Sequence, residues 1–404
     1  MRTGNWTRKK LWTFSIISIL LVLVVLEIIF RIVFAAQYKN YRTSLYIQGN
    51  TLQMSDSALV FRNRPFYLDY YRHYQFNEEG MRVQPRDVDM PEKKPGDFWV
   101  FLFGGSAMEG AGSNKDGEWL DIAGVTDHKP EETIAGLLEK KLQIKMPDRK
   151  VRVFNAANSG FAVWQSMQRY QQLSAKYKMD WVISMDGENE PAVIGPNETV
   201  PEYIRKRWKE SALFDFPLNI IIPLTSHSAF IHQLKQFSFH YRYSNRLARN
   251  EQNHYPARKT WSGRPLGAVG FVKPRSGIDK AVYSFYSQLL QFDSMLTGNG
   301  HPHLLYIQPH IIFRDTARMN VTERALYNYY TATYNDSLHN TFKWKVFNGG
   351  YTPPGRVRLL KELHSWDKQV FVDYCHFTPE ANEYIATLMA NEILEFNNIR
   401  PRPL

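Results

Sequence analysis

The sequence predicts an α/β fold, in which helices cover both faces of a parallel sheet, preceded by one N-terminal transmembrane helix. Three observations predict it. Short apolar runs alternate with amphipathic segments from about residue 98 onwards, as is typical of parallel sheets. One long apolar run follows a basic start within the first 36 residues. The alternation breaks between residues 202 and 280, which indicates a segment inserted into the core.

Composition describes a folded protein. With 404 residues the chain has room for one large domain or two ordinary ones. Its 14% aromatic and 22% charged residues are typical of globular rather than disordered chains. Lys and Arg outnumber Asp and Glu by 50 to 39, giving a net charge of +11. A single cysteine, Cys375, excludes an internal disulfide and leaves the redox compartment open.

The N-terminal apolar run, residues 11–36, is long enough to span a bilayer as a helix. Basic residues precede it and predict a cytoplasmic N-terminus: Arg2, Arg8, Lys9 and Lys10. A cleaved signal peptide ending near Ala35 and Ala36 is the alternative, but the run exceeds a signal core, so we expect an uncleaved anchor. Glu27 and Arg31, four residues apart, are expected to pair on one helix face. The rest of the chain would then lie outside the cytoplasmic membrane.

The α/β region begins after a membrane-proximal strap, which is predicted to be irregular and to wrap the domain. Predicted strands cover residues 98–105, 150–160, 180–190, 303–311 and 368–377. Predicted helices cover residues 131–143 and 163–177. A last helix follows Thr378 as N-cap and Pro379 at its first position.

These elements divide the chain into six segments. They are a cytoplasmic N-terminus (1–10), a transmembrane anchor (11–36), the strap (37–96), the first part of a catalytic domain (97–201), the insertion (202–280) and the second part of that domain (281–404).

The insertion is basic and aromatic. Residues 226–278 hold nine Lys or Arg and one acid, Glu251. One interpretation is a patch that binds an acidic polysaccharide or anionic lipid headgroups, and the other is a solvated charged subdomain. Nucleic acid is not an expected partner, because the domain is expected outside the membrane.

The first candidate for a functional site is the run "WVFLFGGSAMEG", residues 99–110. Two glycines and Ser106 follow a strand, a position that suits a nucleophile, a phosphate cradle or a capped tight turn. Loops after other predicted strands carry Asn158-Ser159-Gly160, Gly187-Glu188-Asn189-Glu190 and Asp373-Tyr374-Cys375-His376. The carboxyl ends of parallel strands meet at one edge, so these loops are expected to converge there. Together they supply the nucleophile, base, orienting acid and oxyanion donors of acyl transfer.

Other site classes lack their motifs. Gly110 stands four residues after Ser106, so the G-x-S-x-G elbow is absent. No G-K-[ST] phosphate loop occurs, and no G-x-G-x-x-G opens a helix. His301 and His303 have no matching ligand nearby in sequence. We predict no metal and no cofactor.

The blocks "FGGSAMEG", "NAANSGF", "DGENE" and "VDYCHFTPEAN" occur in the order typical of one family. The chain resembles the SGNH (GDSL-type) hydrolase superfamily, and within it the membrane-anchored proteins similar to alginate O-acetyltransferases. The resemblance spans residues 98–396, with the insertion outside it, and implies a flavodoxin-like three-layer domain. Gly-Gly-Ser replaces the Gly-Asp-Ser of the esterases, and Glu190 stands where Asp is common.

The resemblance also implies roles. Ser106, Asp373 and His376 would form a catalytic triad, with Ser106 N–H, Gly160 N–H and Asn189 as oxyanion donors. Substrate contacts are expected from Gly105, Gly187 and Glu190. In the insertion, outside the resemblance, Arg242, Arg246 and Arg249 are expected to bind substrate, because arginines pair with the carboxylates of acidic sugars. Contact with substrate is one interpretation of Glu188 and Glu190, and solvated loop acids, the interpretation we favour, is the other. Cys375 is interpreted as a small packed side chain rather than a second nucleophile.

The expected function is addition of acetyl or similar acyl groups to a cell-surface or exported glycan, or their removal, through an acyl-serine intermediate. The expected partners are an acylated glycan or acyl donor, the membrane, and a membrane-bound O-acyltransferase or export protein that delivers the donor. A plain carbohydrate esterase or lipase is one alternative. An inactive glycan-binding or assembly subunit is the other.

Overall fold

The structure, a computed structural model, describes residues 8–37, 53–63, 65, 68–69, 74–83, 89–111, 128–193, 202, 205, 228, 230–231, 234, 278–334, 338–348 and 356–397. Its strands are β1 (Gln53–Asp56), β2 (Val60–Asn63), β3 (Leu68–Asp69), β4 (Tyr74–Gln75), β5 (Phe98–Gly104), β6 (Val151–Asn155), β7 (Trp181–Asp186), β8 (His303–Ile307) and β9 (Val357–Arg358). Its α-helices are α1 (Arg8–Gln37), α2 (Ser106–Glu109), α3 (Ile134–Lys145), α4 (Val163–Ser174), α5 (Glu190–Val193), α6 (Ile278–Gly298), α7 (Val321–Tyr334), α8 (Leu338–Asn348) and α9 (Pro379–Phe396).

The central sheet has five strands in the order β6-β5-β7-β8-β9. Every neighbouring pair is parallel. The predicted parallel α/β sheet is therefore confirmed. Parallel strands need crossover connections, and helices α3, α4 and α6 lie between successive strands of the sheet.

Side chains of β5 show how the sheet separates two cores. Phe98, Val100 and Leu102 pack with apolar residues of α3 and α9 on one face. Trp99, Phe101 and Phe103 pack with α4 and α6 on the other. Successive side chains of a strand point to opposite faces, so a strand buried on both sides must be apolar throughout. The result is three layers, with helices on each face of the sheet.

The start of α9 is as predicted. Thr378 Oγ1 accepts a hydrogen bond from Ala381 N over 3.2 Å, and Pro379 occupies the first helical position. The hydroxyl satisfies one of the N–H groups that a helix leaves without a partner at its start.

The strand predicted over residues 368–377 is wrong. This stretch holds only one bridge, between Phe371 and Phe377, and the edge of the sheet is formed by β9, which pairs with β8. The apolar residues suggest a strand, but Asp373 Oδ1 accepts hydrogen bonds from the N–H groups of Cys375 and His376. An aspartate that takes its own neighbours' N–H groups competes with a ladder and favours a turn.

Residues 37–96, predicted to be irregular, include two antiparallel pairs, β1 with β2 and β3 with β4. Phe76 and Met81 are fully buried. Arg82 N donates to Asn155 O over 2.9 Å, which joins this segment to the edge strand β6. The described part of the strap therefore packs on the domain.

Helix α1 contains a stretch, Lys10–Val33, that is long and apolar enough to cross a membrane. An N-terminal signal sequence also passes this test of length and apolar composition, so the helix by itself does not distinguish an anchor from a signal sequence. Arg31 Nε lies 2.7 Å from Glu27 Oε1, so the expected pair forms. Glu27 Oε2 also accepts hydrogen bonds from Ser228 Oγ (2.7 Å) and Phe230 N (3.1 Å). Most of the predicted insertion lies outside the described residues.

Candidate active site

Two glycines place Ser106 at the carboxyl end of β5. Gly104 has a φ of +139°, and a Cβ there would lie 2.3 Å from Met185 O on the neighbouring strand. Gly105 precedes α2 as its N-cap, and a Cβ there would lie 2.8 Å from Asn189 Nδ2. The backbone contact and positive φ require glycine at position 104, whereas a Cβ at position 105 would displace the Asn189 amide. Ser106 then begins the one-turn helix α2.

Ser106, His376 and Asp373 form a continuous hydrogen-bonded chain. His376 Nε2 lies 2.8 Å from Ser106 Oγ. His376 Nδ1 lies 2.6 Å from Asp373 Oδ2. The serine and histidine are 270 positions apart in sequence, so the sheet edge brings them together.

Asp373 is held as a carboxylate. Burial alone would raise its pKa, but the charge and hydrogen bond of His376 and the N–H groups of Cys375 and His376 together lower the pKa below 3.8. An ionised carboxylate only accepts hydrogen bonds, so His376 Nδ1 carries a proton. In neutral imidazole, Nε2 is then an acceptor, and Ser106 Oγ donates to it. This is the protonation state that a general base requires.

Backbone and side-chain contacts fix the loop that carries this acid and base. Val372 N donates to His376 O over 3.0 Å, which closes the loop on itself. Gln308 Nε2, just after β8, donates to Cys375 O over 3.0 Å. Ile311 N donates to Tyr374 O over 2.9 Å. The loop is thus attached to the end of β8.

The expected oxyanion donors lie on segments attached to the carboxyl end of β5 and the start of α2. As the first residue of α2, Ser106 has an N–H without an intrahelical acceptor. Asn189 Nδ2 donates to Phe161 O over 2.9 Å, which holds its amide beside Gly105. The loop that carries Gly160 is bonded to the end of β5, because Asn158 N donates to Gly104 O over 3.0 Å.

The acids of the "DGENE" loop are not solvated, and that expectation is wrong. Glu188 forms a buried ion pair with Lys343, with Nζ 2.7 Å from Oε2. Glu190 is 2% exposed, and its Oε1 accepts a hydrogen bond from Val163 N over 2.8 Å. Burial, and next the charge of Asp186, raise the pKa of Glu190. These contacts make Glu190 part of the packed interior at the start of α4.

The expected substrate contacts have different surroundings. Gly187 has a φ of +106°, which L side chains rarely adopt, and a Cβ there would also lie 3.1 Å from Phe285 Cζ, so the backbone conformation favours glycine. Gly105 lies next to Ser106, where it admits Asn189. Arg242, Arg246 and Arg249 lie outside the described residues.

Cys375 lies between the acid and the base. Its side chain is buried, with Sγ 3.6 Å from His376 Nδ1. Burial, and next the charges of Asp373 and Glu188, raise the pKa of this thiol well above 9.0. One ligand atom from each of Asp373, Cys375 and His376 would fit within 4.8 Å of the others. However, metal ligation requires a thiolate, and the acid and base already bond each other.

His301 and His303 have protein partners. His301 Nδ1 lies 2.7 Å from Tyr170 OH. His303 Nε2 lies 2.8 Å from Asp293 Oδ1. Both histidines lie at the start of β8, at the opposite end of the strand from the edge that carries Ser106. These hydrogen bonds to protein groups account for the positions of both histidines without a metal ion.

Sequence reasoning misses the buried polar groups behind the site. Glu109 is fully buried and accepts hydrogen bonds from Asn63 and Ser159. In the sequence, the position of Glu109 one helical turn after Ser106 is the feature that indicates it. Arg314 and Glu323 form a fully buried ion pair, in which Glu323 Oε1 also accepts the N–H groups of Val370 and Phe371. No spacing in the sequence indicates that pair.

No protein-family model and no curated protein matches the sequence. Among solved structures, the chain is similar to LAE5, an α/β hydrolase from the metagenome of Lake Arreo, Spain, with 15% identity, 74% of this chain and 96% of that chain covered, and a TM-score of 0.27. It is also similar to Axe2, an acetylxylan esterase from Geobacillus stearothermophilus, with 12% identity, coverage of 74% and 96%, and a TM-score of 0.30. A third is a lipolytic G-D-S-L protein from Veillonella parvula, with 9% identity, coverage of 74% and 98%, and a TM-score of 0.29. At this level of similarity none of them carries a functional conclusion for this chain.

Proposed function

We propose that this protein is an SGNH-type serine enzyme that transfers or hydrolyses O-acyl groups through an acyl-Ser106 intermediate. One observation carries the proposal. Ser106 Oγ, His376 and Asp373 form a single hydrogen-bonded chain, with distances of 2.8 Å and 2.6 Å, at the carboxyl end of the sheet. A nucleophile, a base and a group that orients the base are the arrangement that nucleophilic acyl transfer uses.

The reaction follows from the protonation states. Ser106 Oγ attacks the acyl carbonyl as His376 Nε2 accepts its proton. Asp373 keeps the other proton on Nδ1 and stabilises the imidazolium that forms. The same Nε2–H then protonates the leaving alcohol, and the acyl group remains on Ser106. Water or an acceptor hydroxyl attacks that ester next, with His376 again as the base.

The developing oxyanion would be bound by Ser106 N–H, Gly160 N–H and the Asn189 amide. Ser106 N–H is the first donor of α2 and has no intrahelical acceptor. Asn189 is held beside Gly105 by its bond to Phe161 O. Loss of one such donor slows acyl transfer by roughly 10²–10³.

We further propose that the substrate is an O-acetylated glycan or acyl donor outside the cytoplasmic membrane. The support is the apolar helix α1 with its basic flank, and the basic aromatic composition of residues 226–278. Arginines pair with the carboxylates of acidic sugars, so Arg242, Arg246 and Arg249 are the proposed acceptor contacts. A membrane-bound O-acyltransferase or export protein would deliver the donor to a transferase.

The test uses the full chain in detergent and a small activated acetyl ester. We expect turnover by the wild type and none by Ser106→Ala. A reporter fused after Leu404 tests the topology, and we expect it to be active only outside the cytoplasm. Turnover by Ser106→Ala equal to that of the wild type would contradict the enzymatic proposal.

An oligosaccharide acceptor separates transfer from hydrolysis. Both reactions share the acyl-serine, and they differ in whether water or a sugar hydroxyl reaches it. We expect the acceptor to gain acetyl groups, and replacing Arg242, Arg246 and Arg249 together to reduce this gain while small-ester hydrolysis persists. If ester cleavage is fast and no acceptor is acetylated, the protein is an esterase. If neither activity occurs and Ser106→Ala complements a deletion strain, it is a non-catalytic subunit.

A further inference from the structure

The residue before Gly160 has all of its polar atoms bonded. Ser159 N donates to Glu109 Oε2 over 2.9 Å, and Ser159 Oγ donates to the same oxygen. Ser159 O accepts hydrogen bonds from Gln53 Nε2 (2.6 Å) and Asn158 Nδ2 (3.0 Å). Two of these partners come from outside the loop, Glu109 from α2 and Gln53 from β1.

These bonds determine the direction of the Gly160 N–H. The carbonyl of Ser159 and the N–H of Gly160 belong to one peptide unit, and in a trans peptide the two groups point in opposite directions. Holding the carbonyl therefore aims the N–H. Gly160 has a φ of +86°, a conformation that glycine adopts without a Cβ clash. Among the described residues, no acceptor for the Gly160 N–H is found.

Glu109 joins three parts of the chain. It stands three residues after Ser106, and its N–H donates to Gly105 O over 3.0 Å. Its Oε2 holds Ser159, and its Oε1 accepts a hydrogen bond from Asn63 Nδ2 at the end of β2 over 2.5 Å. Glu109 is fully buried and Asn63 is 2% exposed, so these bonds are shielded from water and from competing donors.

We propose that Glu109 and Gln53 are positioning residues that aim the Gly160 N–H at the oxyanion formed on Ser106. The inference rests on the proposed acyl-transfer function. It makes the β1–β2 hairpin, which follows α1 and precedes the central sheet in sequence, a support of the active site. The hairpin also packs on the loop through Phe61, whose ring centroid is 5.6 Å from that of Phe161.

The first variant is Glu109→Gln. Each carboxylate oxygen of Glu109 accepts a hydrogen bond, so the amide NH₂ of glutamine faces either the Ser159 N–H or Asn63, whose own amide must then turn over and give up its bond to Ala157 O (3.4 Å). We expect kcat to fall by about tenfold to a hundredfold, somewhat less than when an oxyanion donor is removed. KM should stay unchanged, because the interaction is made with the transition state. Affinity for an arylboronic acid, a probe whose hydroxyl occupies the oxyanion position, should fall by a similar factor.

A second variant tests the hydrogen bond itself. In the double variant Asn63→Asp/Glu109→Gln, the carboxylate introduced on β2 can accept from the amide NH₂ introduced on α2, and the amide oxygen can accept from Ser159. This exchange of donor and acceptor should restore most of kcat. Glu139→Gln is the matched control, because Glu139 Oε2 also accepts a backbone N–H, that of Val153 (2.9 Å), but on α3 and away from Ser106.

Gln53→Leu keeps the test decisive if Glu109→Gln does not fold. Gln53 is partly exposed, and its replacement removes a donor to Ser159 O while leaving Asn158 in place. We expect about a threefold to tenfold loss of kcat, smaller than a full oxyanion-donor loss. An unchanged kcat in folded Glu109→Gln, or in Gln53→Leu, overturns the inference while wild type and Ser106→Ala still support the function. An inactive wild type overturns both.

Discussion

Replacing Asp373 by Asn should abolish most turnover by changing which nitrogen of His376 carries the proton. Asp373 Oδ2 lies 2.6 Å from His376 Nδ1, and Oδ1 accepts hydrogen bonds from Cys375 N (2.8 Å) and His376 N (2.7 Å). Asparagine has only one side-chain oxygen. If that oxygen faces the backbone, it accepts the hydrogen bonds of Cys375 N and His376 N. If it faces the imidazole, it accepts only the hydrogen bond of His376 Nδ1.

The backbone-facing orientation is therefore favoured, because a buried N–H left unsatisfied costs about 1–3 kcal/mol. The amide NH₂ then faces His376 Nδ1, which must become an acceptor. The proton moves to Nε2, which points at Ser106 Oγ and no longer accepts from it. We expect kcat to fall about 10⁴-fold, as for the same change in serine proteases. That loss corresponds to about 5.4 kcal/mol in the activation barrier.

The assay is hydrolysis of an activated acetyl ester by the full chain. Asp293→Asn is the matched control, because Asp293 also pairs with a histidine, His303 Nε2 at 2.8 Å, at the start of β8, away from the serine. Its turnover should equal that of the wild type. Turnover of Asp373→Asn within tenfold of the wild type, in a folded protein, would refute the assignment of the acid.

Further predictions concern the surroundings of the site. Gly105→Ala should lower kcat by about tenfold or more, toward the loss of one oxyanion donor, because its Cβ would lie 2.8 Å from Asn189 Nδ2. Gly298→Ala, whose Cβ meets nothing within 4 Å, is the control, and equal rates for the two variants would contradict the role of Gly105. Arg314→Met should lower the free energy of unfolding, measured in denaturant, by about 3–5 kcal/mol, because it leaves Glu323 buried without its cation. A loss of less than about 1 kcal/mol, which is the range of an exposed ion pair, would contradict this prediction. Cys375→Ser should retain turnover, and the native thiol should react slowly with iodoacetamide at neutral pH, since burial raises its pKa; fast alkylation would show a thiolate. Burial opposes the ionised form of Asp373, but the charge and hydrogen bond of His376 and two backbone N–H groups lower the folded pKa of Asp373 below its ordinary value of 3.8. The ionised carboxylate therefore contributes stability above that pH, and this contribution is lost as the pH falls through the folded pKa. Asp373→Asn should therefore remove part of the acid dependence of unfolding, and an identical pH profile would contradict this.

Local patterns predict the elements that carry the proposed chemistry. The apolar run of β5 with its two glycines, and the spacing of Asp373 and His376, are features of adjacent residues. They predict a strand that ends in a sharp turn and an acid close to a base. Convergence of the two at one edge follows from the parallel sheet, which the alternation of strands and helices predicts.

Contacts between distant segments are not predicted. Gln53 and Ser159 are 106 positions apart, and no spacing links them. Glu188 and Glu190 resemble solvated loop acids, because a sequence does not show that Lys343 and Val163 N–H are nearby. Residues 368–377 are apolar enough for a strand, but the carboxylate of Asp373 takes the N–H groups that a ladder would need. In each case a buried polar partner decides the structure.

Identification of the acylated residue tests the role of Ser106 directly. Wild-type protein is mixed with an activated acetyl ester, quenched in acid during turnover, digested, and analysed by mass spectrometry. We predict one acetyl group on the peptide that contains Ser106, and none on that peptide in Ser106→Ala. Rapid turnover with no acetyl on Ser106, or with the acetyl on Cys375, would contradict the proposal that Ser106 is the nucleophile.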